Sequence, residues 1–83
     1  MKKQELPNWF DGELYKEGDI VANPFTGVEV KLTAVELSMY DFLTGAQMCF
    51  DMGIQNEKIL DDYYKGLRWF SKNNINAYMD LLD

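Results

Sequence analysis

Glu57, Asp61 and Asp62 crowd one short stretch and are the first place to look for acid/base or metal chemistry in this chain. Adjacent residues on a helix point about 100° apart, so Asp61 and Asp62 diverge instead of converging on one ion or one scissile bond. No Asp-x-Asp-x-Asp-Gly calcium loop occurs. A solvated helix start accounts for this acid group. Paired carboxylates of the glycosidase kind would need a cleft to flank, and a domain of 83 residues has little room for one. The chain has no histidine, which removes imidazole acid/base catalysis, imidazole-activated nucleophiles and nearly every zinc arrangement. Its one cysteine, Cys49, can form no internal disulfide and falls on an apolar helical arc, where a free thiol behaves as a small hydrophobe. A reactive thiolate would need an electropositive, partly exposed setting. Residues 23–27, NPFTG, invite comparison with a phosphate loop, but they contain one glycine, no lysine directly follows, and they lead into a strand pattern. The chain reads as a non-enzyme with no catalytic, cofactor-binding or metal-ligating residue.

What remains is a scaffold organised around residues 33–52, TAVELSMYDFLTGAQMCFDM. Thr33 and Glu36 have the spacing of a capping box, and Gly53 follows the last periodic residue, where a left-handed conformation ends a helix at low steric cost. Between them Val35, Met39, Phe42, Leu43, Ala46, Cys49 and Phe50 fall on one arc, the core face. Leu37, Met48 and Met52 fall together on the opposite side, interrupted by Asp41 and Thr44. Two apolar faces need two partners. Either a small sheet covers the second face, or it is an exposed patch that meets another copy or another protein. Gly45 beside it costs roughly 1 kcal/mol against alanine in a helix, which points to close backbone approach by a neighbour.

Residues 1–12 read as an irregular arm that Trp9 and Phe10 pin to the domain, the alternative being a hook for a partner. Residues 13–32 turn to short extended segments. Asn23, Pro24 and Gly27 suit a four-residue hairpin loop joining 20–23 to 28–32, in a register that pairs Val21 with Val30 and Asn23 with Val28. Val28, Val30 and Leu32 then share the inner face. A lone hairpin is marginal, so it lies on the helices or gains residues 13–16 as a third strand.

Asn56 caps a second helix running to about Lys72, with Ile59, Leu60, Tyr63, Gly66, Leu67 and Phe70 on its apolar arc and Trp69 off it. Its acids lie early and its bases late, which complements the helix dipole, and Asp61 and Lys65 are spaced as a favourable pair. Gly66 suggests a close crossing against the central helix. Asn74 caps a last short helix over 75–83, with Ile75, Tyr78, Met79 and Leu82 on one side.

Hydrophobic residues at 47% and aromatics at 14% suffice for one small core despite a net charge of -6. That negative charge disfavours direct nucleic-acid binding. The start, MKKQELPNWF, has two lysines but no apolar run behind them, and no stretch approaches the ~18 apolar residues of a membrane span. A cytoplasmic protein without membrane contact is expected.

NPFTG, then KLTAVELSMYDFLTGAQM, then YYKGLRWFSKNNINAYMDLL resemble a family of small proteins encoded by tailed bacteriophages, marine ones in particular, from the hairpin to the C-terminus. The resemblance implies a phage or bacterial cytoplasmic setting and an accessory role, and it carries over no activity and no catalytic residue.

The expected fold is α+β in a single domain over 1–83: an N-terminal β-hairpin or three-stranded antiparallel meander, then three helices with one central buried helix. The expected function is a small acidic accessory protein that binds a protein partner, or its own copy as a homodimer, through an apolar helix face. Leu37, Tyr40, Met48, Met52, Tyr64 and Trp69 are the candidate interface, being the apolar residues left over once the core is assigned. The alternative is a nucleic-acid mimic whose carboxylates block a basic site on a host protein.

Overall fold

A computed structural model describes residues 4–82; residues 1–3 of the expected arm and Asp83 at the end of the expected last helix lie outside the described residues. Along the chain come β1 (Asp19–Ala22), β2 (Glu29–Leu32), α1 (Ala34–Asp51), α2 (Glu57–Asn73) and α3 (Ile75–Leu81).

Helix α1 begins and ends on local chemistry. Thr33 Oγ1 accepts from the Glu36 amide at 3.1 Å while Glu36 Oε1 accepts from the Thr33 amide at 3.0 Å, a complete capping box. At the other end Gly53 takes φ 83°, its amide donates to Phe50 O, and the Ile54 amide donates to Cys49 O. That pair of bonds is a Schellman closure, which only a residue tolerant of positive φ allows without strain. Met39, Leu43 and Ala46 are buried along the core face, with Val35, Phe42, Cys49 and Phe50 half-buried beside them.

The hairpin has the expected register, Val21 opposite Val30, and the Asn23 amide donates to Val28 O. It is two-stranded, and residues 13–16 add no third strand. The Tyr15 amide donates instead to Ser38 Oγ at 2.9 Å, so this segment meets α1 there and that amide is satisfied without a strand partner. Leu32, 1% exposed, carries the hairpin into the core beside Met39, Leu43, Phe70 and Ala77. Val28, expected on the same inner row, lies just outside β2 at the hairpin loop and is exposed.

Asn56 Oδ1 caps α2 by accepting from the Lys58 and Ile59 amides. At Gly66 a Cβ would sit 2.8 Å from Leu43 Cδ2 and 3.1 Å from Met39 Sδ, so α2 crosses α1 closely at this glycine. Leu60, expected on the apolar arc, lies on the second turn of α2 beside the link from α1 and is exposed. Asn74 joins two helices: its amide donates to Phe70 O, and its Oδ1 accepts from the Ala77 amide. Helix α3 is only 7 residues long, and its buried side is Ala77, with Tyr78, Leu81 and Leu82 half-buried. The expected row is therefore corrected, since Ile75 and Met79 face solvent. Fewer than two heptads leave periodicity too little to set a face, and the anchored Asn74 sets it instead.

Residues 4–12 hold no helix or strand. Trp9 and Phe10 pack on Phe42 with ring centroids 6.0 and 5.8 Å away, and Trp69 Nε1 donates to Glu5 O at 3.0 Å. Among the described residues no helix is long and apolar enough to cross a membrane.

Gly45 departs from expectation. A Cβ built there meets no atom of the described residues within 4 Å, so none of these neighbours approaches it. Gly45→Ala is accordingly expected to raise stability by about 1 kcal/mol, through backbone entropy alone. Thermal unfolding followed by circular dichroism reads this as a midpoint roughly 4–8 °C higher, and a lower midpoint would show that the site is occupied.

Candidate interaction surface

The rear face of α1 divides into a covered half and an open half. Over the first half lies the segment around Tyr15, tied by its amide to Ser38 Oγ, which in turn donates to Ala34 O at 2.8 Å. The Tyr15 phenol is pushed above its ordinary value by desolvation and then by the carboxylates of Asp41 and Glu13. Leu37 is half-buried and packs on the core. Beyond Asp41 the cover stops. Gly45 is exposed, and Met48 and Met52, one helical turn apart, are 64% and 73% exposed.

Beside the open half lies a concavity of about 270 Å³ between the hairpin loop, α1, α2 and the end of α3. Asn23 builds its rim. Its Oδ1 accepts from the Phe25 and Thr26 amides at 2.8 and 3.3 Å, closing the loop, and its Nδ2 donates to Asp80 O at 2.8 Å, tying the loop to α3. The loop so held projects Phe25, which is 95% exposed. Tyr40, Thr44, Gln47 and Tyr63 form the wall. Tyr40, Thr44 and Met48 succeed one another four apart on α1, so that wall continues into the open half.

The Tyr63 hydroxyl donates to Gln47 Oε1 at 3.0 Å, and Gln47 Nε2 donates to Asp51 Oδ1 at 3.0 Å. Burial raises the pKa of both Tyr40 and Tyr63, and the neighbouring Tyr64, Tyr78 and Asp51 add to the shift at Tyr63. Both phenols therefore stay neutral hydrogen-bonding groups on the wall.

Charge is segregated around this surface. Helix α1 holds Glu36, Asp41 and Asp51 and α3 holds Asp80, and neither helix contains a lysine or arginine. The bases among the described residues lie elsewhere: Lys16 ahead of the hairpin, Lys31 on β2, and Lys58, Lys65, Arg68 and Lys72 on α2. Two of these face their own carboxylates, Lys58 to Asp62 at 2.7 Å and Lys65 to Asp61 at 2.9 Å. The hydrogen bond to Asp62 is the main reason the Lys58 pKa is raised. Asp61 and Asp62 thus serve separate lysines, and among the described residues no group of three or more Cys, Asp or Glu side chains could hold a metal ion.

Of the six residues singled out from sequence, Met48 and Met52 stand together on the open half and Tyr40 lines the adjoining concavity. Tyr64 is exposed on α2, its ring edge-on to Tyr63 at 5.8 Å. Leu37 is drawn into the packing, and Trp69 lies across the molecule under the arm, beside Trp9 and Arg68. Phe25 was missed. Its position at the centre of a loop closed by Asn23 was the available signal, because such positions point away from both strands. No protein-family model, no curated protein and no solved structure matches the chain.

Proposed function

We propose that this is a non-enzymatic accessory protein that docks a protein partner on the open half of α1, in the bacterial cytoplasmic setting implied by the phage resemblance. One observation carries the reading: Met48 and Met52 stay 64% and 73% exposed on a helix whose first half the chain covers with its own residues. Exposed, adaptable side chains contiguous with a concavity are a surface on which a partner can repack and dock. The test compares capture from host lysate by the wild type, by Met48→Glu with Met52→Glu, and by Ile75→Glu with Met79→Glu, a second exposed apolar pair outside the surface. The expected result is one partner lost with the first pair and kept with the second. Equal capture by all three would sink the proposal.

A second reading, the nucleic-acid mimic, draws support from the absence of bases on α1 and α3. It predicts a complex that dissolves with salt and tolerates added glutamates at 48 and 52.

A further inference from the structure

We infer that the occupant of this surface is a basic amphipathic helix of a protein partner, lying along α1 from Phe25 to Met52. The inference rests on the docking reading above and adds the partner's chemistry. Three features of the surface select it.

Shape comes first. From Tyr40 to the Met52 cap, a row half-buried at Tyr40 and Thr44 and exposed at Met48 and Met52 extends about 18 Å, some three turns of a facing helix, and the concavity beside Phe25 gives that helix a seat at one end. Gly45, with no atom of the described residues within 4 Å of a built Cβ, lets a facing backbone come close midway. Phe25, Met48 and Met52 supply anchors of the kind that accept a helix by its i, i+4 and i+7 side chains.

The second feature is backbone satisfaction. Strands β1 and β2 stop at Ala22 and Glu29, and the hairpin meets the concavity with its loop. No strand edge is offered there, so a partner must bring its own backbone hydrogen bonds, as a helix does and an extended peptide does not.

Charge is the third. Asp41, Asp51 and Asp80 flank the apolar row, and α1 and α3 hold no base to offset them. Lysines or arginines bordering the partner's apolar stripe would meet these carboxylates. A second copy of this chain would not, because a two-fold contact through α1 sets Asp41 and Asp51 of one protomer against their counterparts, between molecules of net charge -6.

Fluorescence anisotropy with three labelled synthetic peptides of roughly 14 residues tests this. One carries leucines at helical spacing with lysines between them, the second replaces every lysine with glutamate, and the third keeps the lysines and replaces every leucine with serine. The full chain at near-physiological salt should bind the leucine/lysine peptide about tenfold more tightly than either of the others. Phe25→Ser with Met48→Ser should remove that advantage, and Ile75→Ser with Met79→Ser should leave it, with circular dichroism confirming the fold of both variants. Equal binding of the leucine/glutamate peptide would overturn the basic partner while leaving the docking surface standing. Equal binding of the serine/lysine peptide, or indifference to the substitutions at 25 and 48, would overturn both. If no peptide binds, the helical occupant is wrong, and the capture comparison decides the docking surface independently.

Discussion

Gly18→Ala should lower the thermal midpoint by roughly 10–20 °C, a loss of about 2–3 kcal/mol. A Cβ at this position would lie 2.0 Å from Leu32 O and 3.0 Å from both Leu32 C and Thr33 Cα, all of them backbone atoms. None can yield cheaply. Leu32 is 1% exposed in the core, and Thr33 is the cap of α1, so a retreat on that side would pull out a core side chain or open the capping box. A retreat on the Gly18 side would separate Asp19 from Leu32, the pair that closes the base of the hairpin. Gly66→Ala makes the useful contrast, since the atoms it meets belong to the side chains of Leu43 and Met39 and not to backbone, and the change there should be milder. Circular dichroism melts of the three proteins check the order. A midpoint for Gly18→Ala within about 2 °C of the wild type would mean the segment before β1 does not lie against Leu32.

The glycines also show where sequence reasoning stops. Signals confined to a few neighbouring residues were legible: the Thr33–Glu36 box, the Gly53 termination, the Asn56 and Asn74 caps, and the hairpin register set by Asn23 and Gly27. The space around a glycine is a property of the assembled fold. Gly45 was expected to be crowded and is open, whereas Gly18, which no local pattern singles out, is the crowded one. The same limit hid the split of the rear face of α1. Residues 13–16 alternate like a strand, yet the Ser38 hydroxyl takes the Tyr15 amide, and nothing local to either residue announces that bond across 23 positions. The surface was therefore legible in its methionines and illegible in its extent. Helical spacing finds Met48 and Met52 but says nothing of a hairpin loop brought alongside by Asn23 and Asp80.

Glu36→Ala is expected to cost about 3–4 kcal/mol, a large share of the roughly 4–12 kcal/mol that holds a domain of this size together. In sequence Glu36 is half of a capping box, and Oε1 fulfils that role. Oε2 does something else. It accepts from Gln4 Nε2 at 2.7 Å and from Asn74 Nδ2 at 3.1 Å, partners 32 and 38 positions away, while Gln4 Oε1 accepts from Thr33 Oγ1 at 2.8 Å. One carboxylate, 4% exposed, thus fastens the arm, the start of α1 and the α2–α3 junction through described donors that are all amides. Alanine would leave those three donors without their acceptor in a part-buried junction. Glutamine would fill the same volume but turn an N–H₂ group toward at least one of them, so Glu36→Gln should fall between alanine and the wild type. Denaturant unfolding gives the energies, and the emission of Trp9 and Trp69, both packed with the arm, tells whether it loosens before the rest. Full stability in the alanine variant would remove Glu36 as the junction. Full stability in the glutamine variant alone would mean that the site needs the shape of the side chain and not its charge, because amide donors can be satisfied by a neutral carbonyl only if the accompanying N–H₂ finds acceptors of its own.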